Sequence, residues 1–175
     1  MIIVGSTNAD VGIQRGMDIL RNGGSAIDAV EATIRLVEDN PEDHTVGFNS
    51  YPNVLGELQL DASIMDGSTL ETGAVAAVRG YREAISIARK VKEALPHVLL
   101  AGEGAERFAA EMGFEHQPHM VTEKISELRE ERLKEDMPQE VFAGLASRAD
   151  LHQWVRLATD PDKTGGTVNV LAKDG

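Results

Sequence analysis

The sequence predicts a mixed α/β domain, and three observations carry that prediction. Leu58, Leu60, Ala62 and Ile64 alternate with Glu57, Gln59, Asp61 and Ser63, the period of a strand with one buried face. Ile27, Val30, Ile34 and Val37 recur instead at the spacing of one helix face. Near the end, Gly165-Gly166-Thr167 opens into the short apolar run 168–172, which reads as a buried strand. At 175 residues the chain is the size of one ordinary domain and can bury a core. Its 42% hydrophobic and 26% charged residues give the composition of a globular protein, not a disordered one.

Taken in order, residues 1–4 read as a short apolar strand closed by Gly5-Ser6-Thr7-Asn8. Over 11–22, Ile13, Met17 and Leu20 have helical spacing, and Gly23-Gly24 stops that helix as a glycine C-cap does. Ser25 caps the next helix, with Asp28 in a first turn that favours negative charge, and Pro41 follows its end. The double glycine where the two helices meet is expected to let their backbones approach closely. The alternating strand ends in a turn at Asp66-Gly67, and 73–78 is expected to return antiparallel to it. Residues 85–95 are helical again up to Pro96, and 98–100 read as a short buried strand. Gly102-Glu103-Gly104 leads into a helix over 105–112 that Gly113 stops. Residues 123–136 are mostly charged, with Ile125, Leu128 and Leu133 as sparse anchors, and read as a solvated helix. Pro138 and the Asp160-Pro161-Asp162 turn make 137–166 a partly exposed linker. Its tryptophan, Trp154, reads as a packing anchor.

A net charge of −12 argues against nucleic acid or an anionic membrane as partner. The absence of cysteine removes disulfides and disfavours structural zinc. No apolar run has the length of a membrane span and no signal segment opens the chain, so the expected compartment is the cytoplasm. Asp61 and Asp66 could act as paired carboxylates, but hydrogen bonding to backbone at a strand end is the favoured reading. His116 and His119 lack a third ligand at metal spacing and read as loop histidines. Gly102-Glu103-Gly104 lacks the Gly-Lys-Ser/Thr ending of a phosphate loop. Neither a metal nor a cofactor is expected. Thr167 is the remaining chemical feature. A cut between Gly166 and Thr167 would give it a hydroxyl beside a free α-amino group. That amine titrates at about 7.7–8.0 and can serve as base near neutrality.

Four ordered blocks resemble the threonine-dependent asparaginase family, the group that contains glycosylasparaginase and isoaspartyl peptidase. The first is Gly23-Gly24-Ser25-Ala26-Ile27-Asp28-Ala29-Val30-Glu31. The second runs from Val46-Gly47-Phe48 through Leu60-Asp61-Ala62-Ser63-Ile64-Met65-Asp66-Gly67. The third joins Thr72-Gly73-Ala74-Val75 to Ile85-Ser86-Ile87-Ala88-Arg89-Lys90-Val91, and the fourth is His97-Val98-Leu99-Leu100-Ala101-Gly102-Glu103-Gly104-Ala105. Pro52-Asn53-Val54-Leu55-Gly56-Glu57 looks closest to the glycosylasparaginase branch and its bacterial asparaginase relatives.

The resemblance implies the αββα sandwich of N-terminal nucleophile hydrolases, two stacked sheets between helical layers. It implies a precursor that cuts itself at Gly166–Thr167, an α-chain over 1–166 and the start of a β-chain at 167–175. A second cut site after Asp174-Gly175 ranks lower, since Thr167 already stands at a strand start. The implied substrate is a small asparagine-like amide, and the implied assembly is a homodimer of αβ units. In the family, the oxyanion donors and the arginine–aspartate pair that clamp substrate lie well beyond the nucleophile. Only eight residues follow Thr167, so this chain alone is expected to be an inactive, incomplete sandwich awaiting the β-chain of the same precursor. Glycosylasparaginases carry a tryptophan in the loop after the first strand. Here stand Ser6-Thr7-Asn8, with Thr7 the expected substrate-side residue, which favours free asparagine over a glycosylated substrate. Glycosylasparaginase, isoaspartyl peptidase and a non-catalytic assembly module remain the alternatives.

Overall fold

The computed structural model describes residues 1–136, 139–144 and 167–175. Strand β1 (Ile2–Gly5) passes through a one-turn 3-10 segment, Thr7–Ala9, into α1 (Asp10–Arg21) and then α2 (Ala26–Glu38). A long irregular loop leads to β2 (Leu60–Met65), β3 (Thr72–Val78), α3 (Ala84–Ala94), β4 (Leu99–Ala101) and α4 (Gly102–Glu111). Helices α5 (Glu123–Asp136) and α6 (Gln139–Gly144) follow, and β5 (Val170–Lys173) ends the described chain. The linker expected over 137–166 lies outside the described residues apart from α6, as does Trp154.

The helix signals act where the sequence puts them. Ser25 is the N-cap of α2, its hydroxyl accepting the Asp28 N–H at 3.2 Å and donating to the Asp28 carboxylate at 2.6 Å. Gly23 ends α1 with a φ of +81°, a left-handed conformation that glycine adopts without strain. At the double glycine a Cβ on Gly23 would touch nothing, and one on Gly24 would fall 2.5 Å from the Ile19 side chain of α1. The chain packs closely on α1 there, but the close approach of α1 to α2 lies elsewhere. It occurs at Gly12 and Gly16, midway along α1. A Cβ on Gly12 would stand 2.3 Å from the Thr33 carbonyl oxygen, and one on Gly16 2.9 Å from that of Ala29. Two helical turns meet there almost backbone to backbone.

Two sheets pair with this helical layer. β1 and β5 are antiparallel, with Gly5 opposite Val170 and Ile2 opposite Lys173. In the second sheet β3 lies between an antiparallel β2 and a parallel β4. The hairpin follows its alternating pattern: Leu60, Ile64, Val75 and Val78 are buried against Ile85, Ile87, Ala88 and Val91 of α3. Gly73 has no room for a side chain, since a Cβ would fall 2.1 Å from the Ala88 carbonyl oxygen. The described chain is thus a mixed α/β structure with two separate sheets, of two and three strands.

Two strands expected to be buried are only partly so. β4 is an edge strand, with Val98 and Leu99 more than half exposed, because among the described residues only β3 flanks it. β5 buries Val170 but exposes Leu171 at 76%. Successive side chains of a strand point to opposite faces, and the described helices cover only one of them. The charged helix α5 is solvated as expected, with Ile125 and Leu133 turned inward, while Leu128, the third expected anchor, is exposed.

Candidate active site

Between β5 and β2 opens a cleft of about 1380 Å³. Residues 167–174 line one wall, β2 the other, and α2 and the start of α3 line the space between them. Thr45, Gly47, Ser50 and Tyr51 add the loop that follows α2. That loop sits tightly on the helix end. Gly47 has a φ of +65°, a Cβ on it would fall 2.2 Å from the Glu38 carbonyl oxygen, and that oxygen accepts the Phe48 N–H at 2.8 Å.

Thr167 is exposed, lines the cleft, and stands three residues before β5. The strand it precedes is held at both ends. At its start the Ser6 N–H donates to the Asn169 carbonyl at 2.9 Å. At its end the Asp174 carboxylate accepts the Ala26 N–H at 2.9 Å, satisfying a donor that the first turn of α2 would leave unpaired. Gly166 lies outside the described residues. Thr7 is exposed on the turn after β1, and it is not among the residues that line the cleft.

The carboxylate pair has structural partners. The ladder between β2 and β3 shifts register between Leu60 and Ala62, and opposite the shift Ala77 has a φ of +53°. Asp61 accepts the Ala77 N–H at 2.7 Å, a donor that the irregular ladder leaves over. Asp66 accepts the Ser68 N–H at 2.9 Å within the hairpin turn. His116 stands edge-on to Tyr81 with ring centroids 5.3 Å apart, and His119 is exposed. Among the described residues, no group of three histidine, aspartate or glutamate side chains is arranged to hold a metal ion.

Two polar features of this region escaped the sequence reading. Glu38 is only 4% exposed and lines the cleft. Its Oε1 accepts the Ile85 N–H at 2.9 Å, while its Oε2 is buried with no hydrogen-bond partner among the described residues. Burial pushes its carboxyl up to about 8, the Ile85 N–H opposes that, and Asp39 and Glu83 add to it. Nothing in a helix-ending Val-Glu-Asp announces such a site, because the covering loop arrives from later in the chain. The second feature is Asp43, which accepts hydrogen bonds from Asn8 and Thr45. Partial burial raises its carboxyl, but the Thr45 and Asn8 donors outweigh it and hold the group below the ordinary carboxylate range.

Comparison with known proteins gives consistent results. The family described as asparaginase matches residues 7–175. An isoaspartyl peptidase/L-asparaginase of Rattus norvegicus is 40% identical over 159 residues, which are 91% of this chain and 43% of the relative. That of Homo sapiens is 40% identical over 160 residues, 91% of this chain and 46% of the relative. A plant-type L-asparaginase of Pyrococcus horikoshii is 40% identical over 156 residues, 87% of this chain and 47% of the relative. The chain thus spans less than half the length of these curated relatives.

Proposed function

The chain belongs to the asparaginase family that matches it over residues 7–175, and from that membership we propose that it is the nucleophile-bearing portion of an asparagine side-chain amidohydrolase. The observation that carries this reading is Thr167 itself. It lines a large cleft and precedes a strand pinned at both ends, which is the rigid support a nucleophile needs.

In this reading residues 1–166 are the α-chain and 167–175 begin the β-chain. The Thr167 hydroxyl attacks the Gly166 carbonyl carbon, the peptide nitrogen leaves as the new α-amine, and the acyl group passes to oxygen. Water then hydrolyses that ester and frees both the hydroxyl and the Gly166 carboxylate. Glycine before the bond tolerates backbone conformations closed to other residues. In turnover the amine takes the hydroxyl proton as oxygen attacks the side-chain amide carbon of an asparagine-like substrate. The same proton is returned to the departing ammonia or amine, and water releases aspartate from the acyl-enzyme.

The β-chain of the same precursor is the proposed partner, and it supplies the oxyanion donors and the substrate clamp. Support for a covering segment comes from the outer face of the β1–β5 sheet. There Ile2, Val4 and Leu171 are exposed at 56%, 55% and 76%, an apolar face of the kind that a second sheet covers. The assembled protein is proposed to be a cytoplasmic homodimer of αβ units. Free asparagine is the preferred substrate, with glycosylated asparagine and isoaspartyl peptides as the alternatives. Among the described residues, no helix is long and apolar enough to cross a membrane.

The decisive experiment uses the full-length protein. A new N-terminus at Thr167, found by intact mass and terminal sequencing, and ammonia release from asparagine are both expected. Thr167→Ala is expected to abolish both. Retained ammonia release in that variant would overturn the assignment, and rates on the three substrate classes would rank them.

A further inference from the structure

The start of β5 is held by a line of side chains that the proposed chemistry does not use. Antiparallel pairing continued one step past Gly5 and Val170 sets Ser6 opposite Asn169. In a hydrogen-bonded pair of that kind each residue donates its N–H to the other's carbonyl. The Ser6 N–H does so at 2.9 Å, but the Ser6 carbonyl has turned away to accept the Ala9 N–H at 2.8 Å. The Ser6 hydroxyl oxygen takes its place and accepts the Asn169 N–H at 3.0 Å. A side chain thus completes the last rung before Thr167.

The line runs on. The Ser6 hydroxyl donates to Asn8 Oδ1 at 2.7 Å, and Asn8 Nδ2 donates to Asp43 Oδ2 at 2.9 Å. Asp43 Oδ1 accepts the Thr45 N–H at 2.7 Å and the Thr45 hydroxyl at 2.5 Å. The direction of the line follows from its charged end. A flipped Asn8 amide would set its oxygen against the Asp43 carboxylate, two acceptors face to face. Thr45 and Thr167 both line the cleft, so the line joins the loop after α2 to the wall that carries the nucleophile.

We propose that Ser6, Asn8 and Asp43 are positioning residues that fix the strand start bearing Thr167 against the 43–47 loop, with the Ser6 hydroxyl as the joint. The inference rests on the reading of Thr167 as nucleophile. Asn169 is two residues from Thr167, and a lost rung there lets the strand start fray. A displacement of about 1 Å at a reacting group costs on the order of a hundredfold in rate.

The test uses the full-length protein carrying Ser6→Ala and Ser6→Thr. Ser6→Ala is expected to raise amide exchange at Asn169 about tenfold, the worth of one hydrogen bond. It is also expected to slow the appearance of the Thr167 terminus and to lower kcat with KM unchanged. Ser6→Thr keeps the hydroxyl and is expected to restore all three. Wild-type exchange and cleavage in Ser6→Ala, or a Ser6→Thr as impaired as Ser6→Ala, would overturn the proposal. Should Ser6→Ala fail to fold, Asn8→Ala decides: faster exchange with slower cleavage supports the line, and no change in either overturns it. Exchange needs no activity, so the line is judged even if Thr167→Ala shows that the nucleophile lies elsewhere.

Discussion

Glu38 makes a pH dependence that can be worked out from one residue. Its carboxyl is raised by burial to about 8 in the folded chain, against 4.5 as its ordinary value. Below the ordinary value both folded and unfolded states hold the proton, and its stabilising contribution is fully present. As pH rises towards 8 the unfolded state has released a proton that the folded state keeps. The contribution of Glu38 to stability therefore falls by on the order of 1 kcal/mol per pH unit across that window. Glu38→Gln keeps an acceptor for the Ile85 N–H and carries no charge, so it is expected to flatten this slope. Urea denaturation at pH 5.5 and 7.5 measures it, and an equal slope in both proteins would refute the account. The residue types at this scale were legible in part. Asp61 and Asp66 were expected to bond backbone and do. Glu38 was illegible, because burial is a property of what packs on a residue and the Gly47 loop arrives from beyond the helix.

The helices and the hairpin were the most legible elements, and the reason is that their signals are local. A Ser25 cap, a glycine stop and an apolar period act within a few residues of themselves. Where two elements touch is a different matter. Sequence adjacency put the close approach of α1 and α2 at Gly23-Gly24, whereas packing puts it at Gly12 and Gly16. Thermal denaturation distinguishes the three kinds of glycine. Gly12→Ala forces a Cβ into backbone and is expected to cost about 1–3 kcal/mol. Gly23→Ala meets no atom but keeps a left-handed backbone, and is expected to cost about 1–2 kcal/mol. Gly67→Ala, with open space around it and no positive φ, is expected to be nearly neutral. A neutral Gly12→Ala would show that the helix pair has slack.

For the whole molecule, the proposal of a covering β-chain segment makes Leu171 informative. In this chain alone the side chain is largely exposed, and Leu171→Ser is expected to change stability by less than about 0.5 kcal/mol. In the full-length protein, where a second layer is proposed to cover it, the same change is expected to cost about 1.5–3 kcal/mol. Equal effects in the two contexts, measured by denaturation, would argue that this face stays open.

By itself the sequence determined the family, the order of helices and strands apart from α6, the buried face of the hairpin and the threonine worth testing. Each of these follows from short-range periodicity, caps and ordered motifs. Tertiary structure alone decided which face of β5 is covered, that β4 is an edge, that Glu38 loses its water, and that Ser6 completes a rung with Asn169. The last joins residues 163 positions apart. No local pattern encodes such a bond, because the partner's position is set by every element folded between them.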